Sequence, residues 1–215
     1  RIYGLLGRKL GHSWSAPIHH ELGCGSYRLI ELEPEALEGF LRREDIGGLN
    51  VTIPYKRAVM ACCDEIDPLA KRIGSVNTIV RRGDGTLYGD NTDAYGFLEG
   101  AKFSGIKLTG KVLIYGFGGA ARTIIAECVK AGCQVTIGTA PDFLEQGKKV
   151  VKELSENLGA KIKIILGEDI SPCIVIKEHD AQRAVGRRQS IYYSHLAECT
   201  HWLNRHGLLL RGITQ

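Results

Sequence analysis

Lys111-Val112-Leu113-Ile114-Tyr115 runs straight into Gly116-Phe117-Gly118-Gly119-Ala120-Ala121, and this junction decides the fold. The first five residues make an apolar run of strand length, and the next six fit G-x-G-x-x-A. The first glycine permits a tight turn and the second lets the backbone approach a pyrophosphate. Ala121 is small enough for the following helix to lie close to the strand. Free N–H groups at a helix start attract phosphate. Glycines also fill plain strand-to-helix turns, so the motif alone is weak.

The chain downstream of the loop strengthens the reading. Residues 119–131 read as a helix closed by Gly132, 134–137 as a strand, 142–158 as a helix closed by Gly159, and 161–166 as a strand. That is βαβαβ, half of a Rossmann-like doubly wound α/β sheet. Residues 173–177 add a further strand candidate. Residues 189–206 read as an amphipathic helix with Tyr192, Leu196, Cys199 and Leu203 on one face. Past the second strand stands Gly138-Thr139-Ala140-Pro141-Asp142. Asp142 either accepts from ribose hydroxyls or belongs to the start of the next helix.

Upstream, strands and helices also alternate. Residues 2–6, 27–32 and 48–53 read as strands, 34–43 and 55–64 as helices, and 76–81 with 86–88 as a hairpin about Gly83-Asp84-Gly85. Residues 92–103 form a helix. The glycine-bearing connector at 105–110 separates a first α/β domain, residues 1–104, from a nucleotide-binding domain, residues 105–215. The last helix of the second domain is free to pack back on the first.

The first domain concentrates polar motifs. His12-Ser13-Trp14-Ser15-Ala16-Pro17 offers two hydroxyls at a helix entrance, a carboxylate cradle or, more plainly, an N-cap at Ser15. Asn50-Val51-Thr52-Ile53-Pro54-Tyr55-Lys56 puts a lysine in the first turn of the expected 55–64 helix. There dipole and burial both work against the ammonium and lower its pKa, which suits proton transfer. A solvated lysine is the plainer alternative, but helix starts favour acids. Asp93 in Asp90-Asn91-Thr92-Asp93 is what helix capping alone would select, and Asn77 in Ser75-Val76-Asn77-Thr78 is equally ordinary in isolation.

Composition limits the alternatives. The 215 residues are 44% hydrophobic and 24% charged with net charge +4, a mild excess that suits an anionic small molecule and not nucleic acid. Seven cysteines with no C-x-x-C pair read as reduced thiols, and no metal-ligand set stands out. No apolar run is long enough for a membrane span, and the expected location is the cytoplasm. His195, Cys199 and His201 near the end, and Arg183, Arg187 and Arg188, read as ordinary helix and surface residues.

Together and in this order, these motifs resemble the shikimate dehydrogenase family over about residues 2–137. His12-Ser13-x-Ser15 is similar to its paired serines, Asn50-Val51-Thr52-x-Pro54-x-Lys56 to its lysine motif, Val76-Asn77-Thr78 to its substrate-binding amide, Gly89-Asp90-Asn91-Thr92-Asp93 to its aspartate motif, and Gly116-x-Gly118-Gly119-Ala120-Ala121-Arg122 to its cofactor loop. The resemblance implies reversible reduction of 3-dehydroshikimate to shikimate in aromatic amino-acid (chorismate) biosynthesis. It makes Lys56 and Asp93 the catalytic pair, with Ser13, Ser15, Thr52 and Asn77 on substrate. It puts Gly116, Gly118, Gly119, Ala120, Ala121 and Arg122 on the cofactor. Tyr55, Tyr95 and Phe117 are candidates for the pocket wall. NADP is the implied cofactor, with NAD open, in a monomer or homodimer. The family's Asn-Arg-Thr segment after the second nucleotide-domain strand is replaced by Gly138-Thr139-Ala140, leaving Arg122, Lys148 and Lys149 as phosphate partners. Its Asn-Ala-Thr-Pro and late glutamine motifs do not appear beyond Pro141. An NAD-dependent quinate/shikimate dehydrogenase, a non-catalytic sensor of the ring acid and a one-carbon folate dehydrogenase are the competing readings.

Overall fold

The computed structural model describes residues 1–11, 13–166, 174–177 and 190–192. Ile2–Gly7 (β1), Tyr27–Glu31 (β2), Ile46–Val51 (β3), Glu65–Ile66 (β4), Thr78–Arg81 (β5) and Leu87–Asp90 (β6) form one sheet in the order β2-β1-β3-β5-β6-β4. β1 pairs parallel with β2 and β3, while β5 runs antiparallel to β3 and β6. In that register Asn50 lies opposite Thr78, and Thr78 opposite Asp90. The carboxyl ends of β1, β3 and β6 and the amino end of β5 therefore share one edge.

Side-chain alternation explains the packing. Leu6, Leu49, Val51 and Ile79 turn to one face and are buried against Leu37 and Leu41 of α2 (Leu37–Leu41) and Ala70 of α3 (Pro68–Ile73). Fully burying such a side chain contributes about 1.5–3 kcal/mol. The opposite face carries Leu5 and Tyr27 beneath α1 (Ser15–Glu21) and leaves Tyr3, Leu29 and Val80 exposed. The loop between β5 and β6 is the expected hairpin, closed by the Arg82 N–H donating to the Thr86 carbonyl.

α4 (Asp93–Phe103) carries the chain onward, burying Phe97 in the core of a second sheet. That sheet comprises Lys111–Tyr115 (β7), Gln134–Thr139 (β8), Lys163–Leu166 (β9), Ile174–Lys177 (β10) and Ser190–Tyr192 (β11), all parallel, in the order β11-β10-β7-β8-β9. Helices α5 (Gly119–Lys130) and α6 (Leu144–Leu158) connect β7 to β8 and β8 to β9. Val112, Leu113 and Ile114 are all buried, as a strand covered on both faces requires. The order reverses between β7 and β10, so the crevice at their carboxyl ends is the topological switch point where this fold takes ligands.

Four expected elements differ. Residues 55–64 are not an α-helix but turns leading into a 3₁₀ segment, Ala58–Cys62. The cause is that the Lys56 carbonyl accepts from the Val76 N–H at 2.8 Å instead of from its own chain four residues on. The helices expected at 34–43 and 142–158 each begin with a 3₁₀ turn, Pro34–Ala36 and Pro141–Phe143. Ser190–Tyr192 is a strand paired with β10, not the start of a helix, and the rest of the 189–206 segment lies outside the described residues. His12, Cys173, His195, Cys199, His201 and Arg183, Arg187 and Arg188 lie there too.

Candidate active site

The shared edge of the first sheet collects the polar motifs. Beyond β1, Ser13 Oγ lies 3.1 Å from Ser15 Oγ and accepts from the Ser15 N–H at 3.2 Å. Trp14, not Ser15, occupies the N-cap of α1, so capping is not the work of Ser15. The Ser15 carbonyl lies 2.8 Å from His19 Nδ1, and the His19 ring stacks on Tyr27 at 3.7 Å. The Tyr27 hydroxyl donates to Asn50 Oδ1 at 2.7 Å, keying the serine loop to β3. Burial raises the pKa of that phenol, which keeps it a donor. The role of His19 as a buttress shows only in three dimensions.

Beyond β3, buried Thr52 donates its N–H to the Leu6 carbonyl at 2.9 Å. Lys56 sits in a turn and not in the first turn of a helix of its own; its Nζ donates to Asp93 Oδ2 at 2.5 Å. The two side chains are 14% and 30% exposed, so the pair is sheltered yet reachable by a ligand. Asp93 opens α4 without capping it. Ahead of β5, Asn77 Oδ1 accepts from Thr78 Oγ1 (2.9 Å), Thr92 N (2.8 Å) and Thr92 Oγ1 (3.1 Å). With the oxygen so engaged, a contact from Asn77 to a ligand must come through its amide nitrogen. Among the described residues, three buried side-chain atoms have no partner: Thr52 Oγ1, Ser75 Oγ and Asn91 Oδ1. All three belong to segments at this edge, where a ligand or an ordered water can satisfy them.

The glycine loop of the second sheet meets this cluster. A Cβ built on Gly119 would lie 2.9 Å from Lys56 Cδ and 3.1 Å from Ser75 Oγ, so a side chain here would push against Lys56 and Ser75. Asn91 Nδ2 donates across the junction to Thr123 Oγ1 at 3.0 Å and to the Ser75 carbonyl at 2.8 Å. The loop suits a dinucleotide phosphate. Gly116 has φ 100°, Gly118 is extended at the N-cap of the twelve-residue α5, and no acid stands in the first turn of that helix.

Arg122 corrects the sequence reading. Its guanidinium is buried, with Nη1 and Nη2 each 2.9 Å from a carboxylate oxygen of Glu153 and Nη1 also 3.2 Å from the Ile73 carbonyl. Its donors are committed to protein, not presented to a phosphate. Of the other candidates, Lys148 pairs with Glu145. Tyr55 is a core residue donating to the Leu32 carbonyl at 2.5 Å, Tyr95 is 71% exposed, and Phe117 packs against the second core. A hollow of about 230 Å³ on the first sheet, lined by Tyr3, His19, Tyr27, Asn50, Thr78 and Val80, contains neither Lys56 nor Asp93. Among the described residues no cluster of metal-ligating side chains exists, and no helix is long and apolar enough to cross a membrane. Burial raises the Cys63 thiol to about 11 and Cys128 to about 12, so neither is a thiolate nucleophile at neutral pH.

Residues 5–79, the stretch holding Ser13, Ser15, Thr52, Lys56 and Asn77, match the family model of the shikimate dehydrogenase substrate binding domain. A shikimate dehydrogenase (NADP(+)) of Paramagnetospirillum magneticum is 44% identical over 144 residues, covering 61% of this chain and 52% of its own. The chain belongs to the shikimate dehydrogenase family. Shikimate dehydrogenase 1 from Peptoclostridium difficile superposes with a TM-score of 0.71 at 31% identity, over 86% of this chain and 70% of that one. The shikimate 5-dehydrogenase of Thermus thermophilus, solved with NADP(H) and shikimate, gives 0.67 at 33% identity, over 81% and 67%. These relatives share the build of a substrate domain followed by a Rossmann-like domain. The chain spans about half the length of the curated relatives it matches.

Proposed function

We propose that this chain carries the active site of a shikimate dehydrogenase, interconverting 3-dehydroshikimate and shikimate with NADP in the route to chorismate. Residues 1–104 serve as the substrate half and 105–215 as the nucleotide half, with the seam between them as the reacting cleft. The observation that carries the reading is the Lys56–Asp93 pair lying against the glycine loop, with Lys56 Cδ 2.9 Å from where a Gly119 Cβ would stand.

The roles follow from the donors present. Ser13 and Ser15 hydroxyls hold the substrate carboxylate, and Thr52 Oγ1 and the Asn77 amide nitrogen hold ring hydroxyls. Lys56 Nζ polarises the ring carbonyl and gives up a proton to its oxygen; in the reverse direction it takes that proton back. Asp93 holds the ammonium through Oδ2 and keeps its remaining protons directed at the ring. Backbone N–H groups from Gly118 to Ala121 hold the pyrophosphate. When bound, the nicotinamide supplies or accepts the hydride.

One observation favours NAD as a second reading. Arg122 is taken by Glu153, and Gly138, Thr139 and Ala140 at the end of β8 bring no cation to a 2′-phosphate. Following nicotinamide absorbance with shikimate and quinate against NADP and NAD separates the readings. Shikimate with NADP should give the highest kcat/KM. Quinate with NAD winning would favour the second, and no turnover with any pair would contradict both.

A further inference from the structure

We propose that Arg122 and Glu153 are positioning residues: one ion pair that sets the spacing between the Lys56 side of the cleft and the glycine loop. The proposal rests on the cleft reading above. Arg122 follows Ala121 directly, so it moves with the loop. A cation in the first turn of α5 opposes the helix dipole and, at 1% exposure, has no water to compensate it. Glu153 of α6 supplies the charge through two parallel 2.9 Å hydrogen bonds, the fork geometry that fixes direction as well as distance.

The same pair grips the first half of the molecule. Arg122 Nη1 donates to the carbonyl of Ile73, the last residue of α3. Gly74, at φ 70°, follows so closely that a Cβ there would lie 3.2 Å from Arg122 Nη1 and 3.3 Å from Glu153 Oε1. The next three residues are Ser75, Val76 and Asn77, and Val76 in turn holds the Lys56 carbonyl. Arg57, the neighbour of Lys56, reaches Glu153 Oε1 at 3.5 Å, and Arg72 Nε reaches the Asn157 carbonyl at 3.4 Å. Substrate arm and cofactor loop are thus both referenced to one carboxylate. Hydride transfer is steep in distance, and a misplacement of about 1 Å can cost on the order of 100-fold.

The test is Glu153→Gln, nearly isosteric and only partly buried, with Arg122→Lys beside it. Binding of shikimate and of reduced dinucleotide is measured separately, together with kcat, KM and amide hydrogen exchange. For Glu153→Gln we expect each ligand to bind within about threefold of the parent while kcat falls at least about tenfold. Exchange at Ser75, Val76 and Asn77 should quicken about tenfold, with the strands of both sheets unchanged. Arg122→Lys, which keeps the charge but loses the fork, should fall between. Unchanged kcat and unchanged exchange at those amides would overturn the proposal, as would loss of protection spread evenly over both sheets. A parent that binds neither ligand would sink the cleft reading instead, and the exchange comparison would still decide whether the pair holds the seam.

Discussion

The two edges that meet at the seam are built from different materials. On the first sheet the proposed site consists of side chains: Lys56, Asn77 and Asp93 are tied by hydrogen bonds to other segments, Ser13 pairs with its neighbour Ser15, and Thr52 Oγ1 is left without a partner. On the second sheet it consists of backbone, where Gly116, Gly118 and Gly119 matter for the side chains they lack. On the proposed reading the first edge selects the ring and handles its proton, so substitutions there should act on chemistry. On the same reading the second edge sets how near the backbone comes to phosphate, so substitutions there should act on cofactor affinity.

The sharpest way to break this division is Lys56→Ala. Removing the proton-handling amine should lower kcat on the order of 1,000-fold while dinucleotide affinity stays the same, as stopped-flow and fluorescence titration would report. A comparable loss of dinucleotide affinity would mean the edges do not divide the work. Next come the two cores. Leu6→Ala and Leu154→Ala, each at a fully buried position, should cost about 2–5 kcal/mol by thermal or denaturant unfolding. Leu6→Ala should weaken shikimate binding more and Leu154→Ala dinucleotide binding more; the opposite pattern would dissolve the comparison. Gly116→Ala forces a side chain into φ 100°, straining the turn by about 1–2 kcal/mol. Dinucleotide Kd should rise about tenfold with shikimate binding unmoved.

The smallest effect concerns pH. The Arg122 guanidinium holds the Glu153 carboxyl below its ordinary value of 4.5. A carboxyl with a depressed folded-state pKa contributes stability that is present above 4.5 and lost as pH falls through the lower value. Unfolding of the parent below that point should thus steepen relative to Glu153→Gln, seen by comparing acid melts. Parallel curves would show that Glu153 adds nothing measurable.

Much of the second sheet could be read directly. Val112 to Ile114 form a continuous apolar run, and Gly132 and Gly159 end helices where glycine after a periodic segment should, so local pattern and fold agree. The edge motifs of the first sheet were legible too, because Ser13, Lys56, Asn77 and Asp93 keep recognisable neighbours. What was not legible depends on partners far away in the chain. Lys56 looked like a helix start, yet its carbonyl is taken by Val76, and its amine by Asp93, 37 residues on. Arg122 looked like a phosphate ligand because it adjoins the glycine loop, but its partners stand 31 and 49 residues away. Adjacency in sequence pointed to the ligand, and packing pointed elsewhere. His19 gave no local signal because its contact with Tyr27 forms only when α1 lies over β2.

A crystal structure of this chain with shikimate bound would probe the cleft most directly. The ring should lie at the seam, its carboxylate on the Ser13 and Ser15 hydroxyls and a ring hydroxyl within hydrogen-bonding reach of both Lys56 Nζ and Asp93. Shikimate found instead in the hollow beside Tyr3 and Val80, with the Lys56–Asp93 pair untouched, would contradict the assignment.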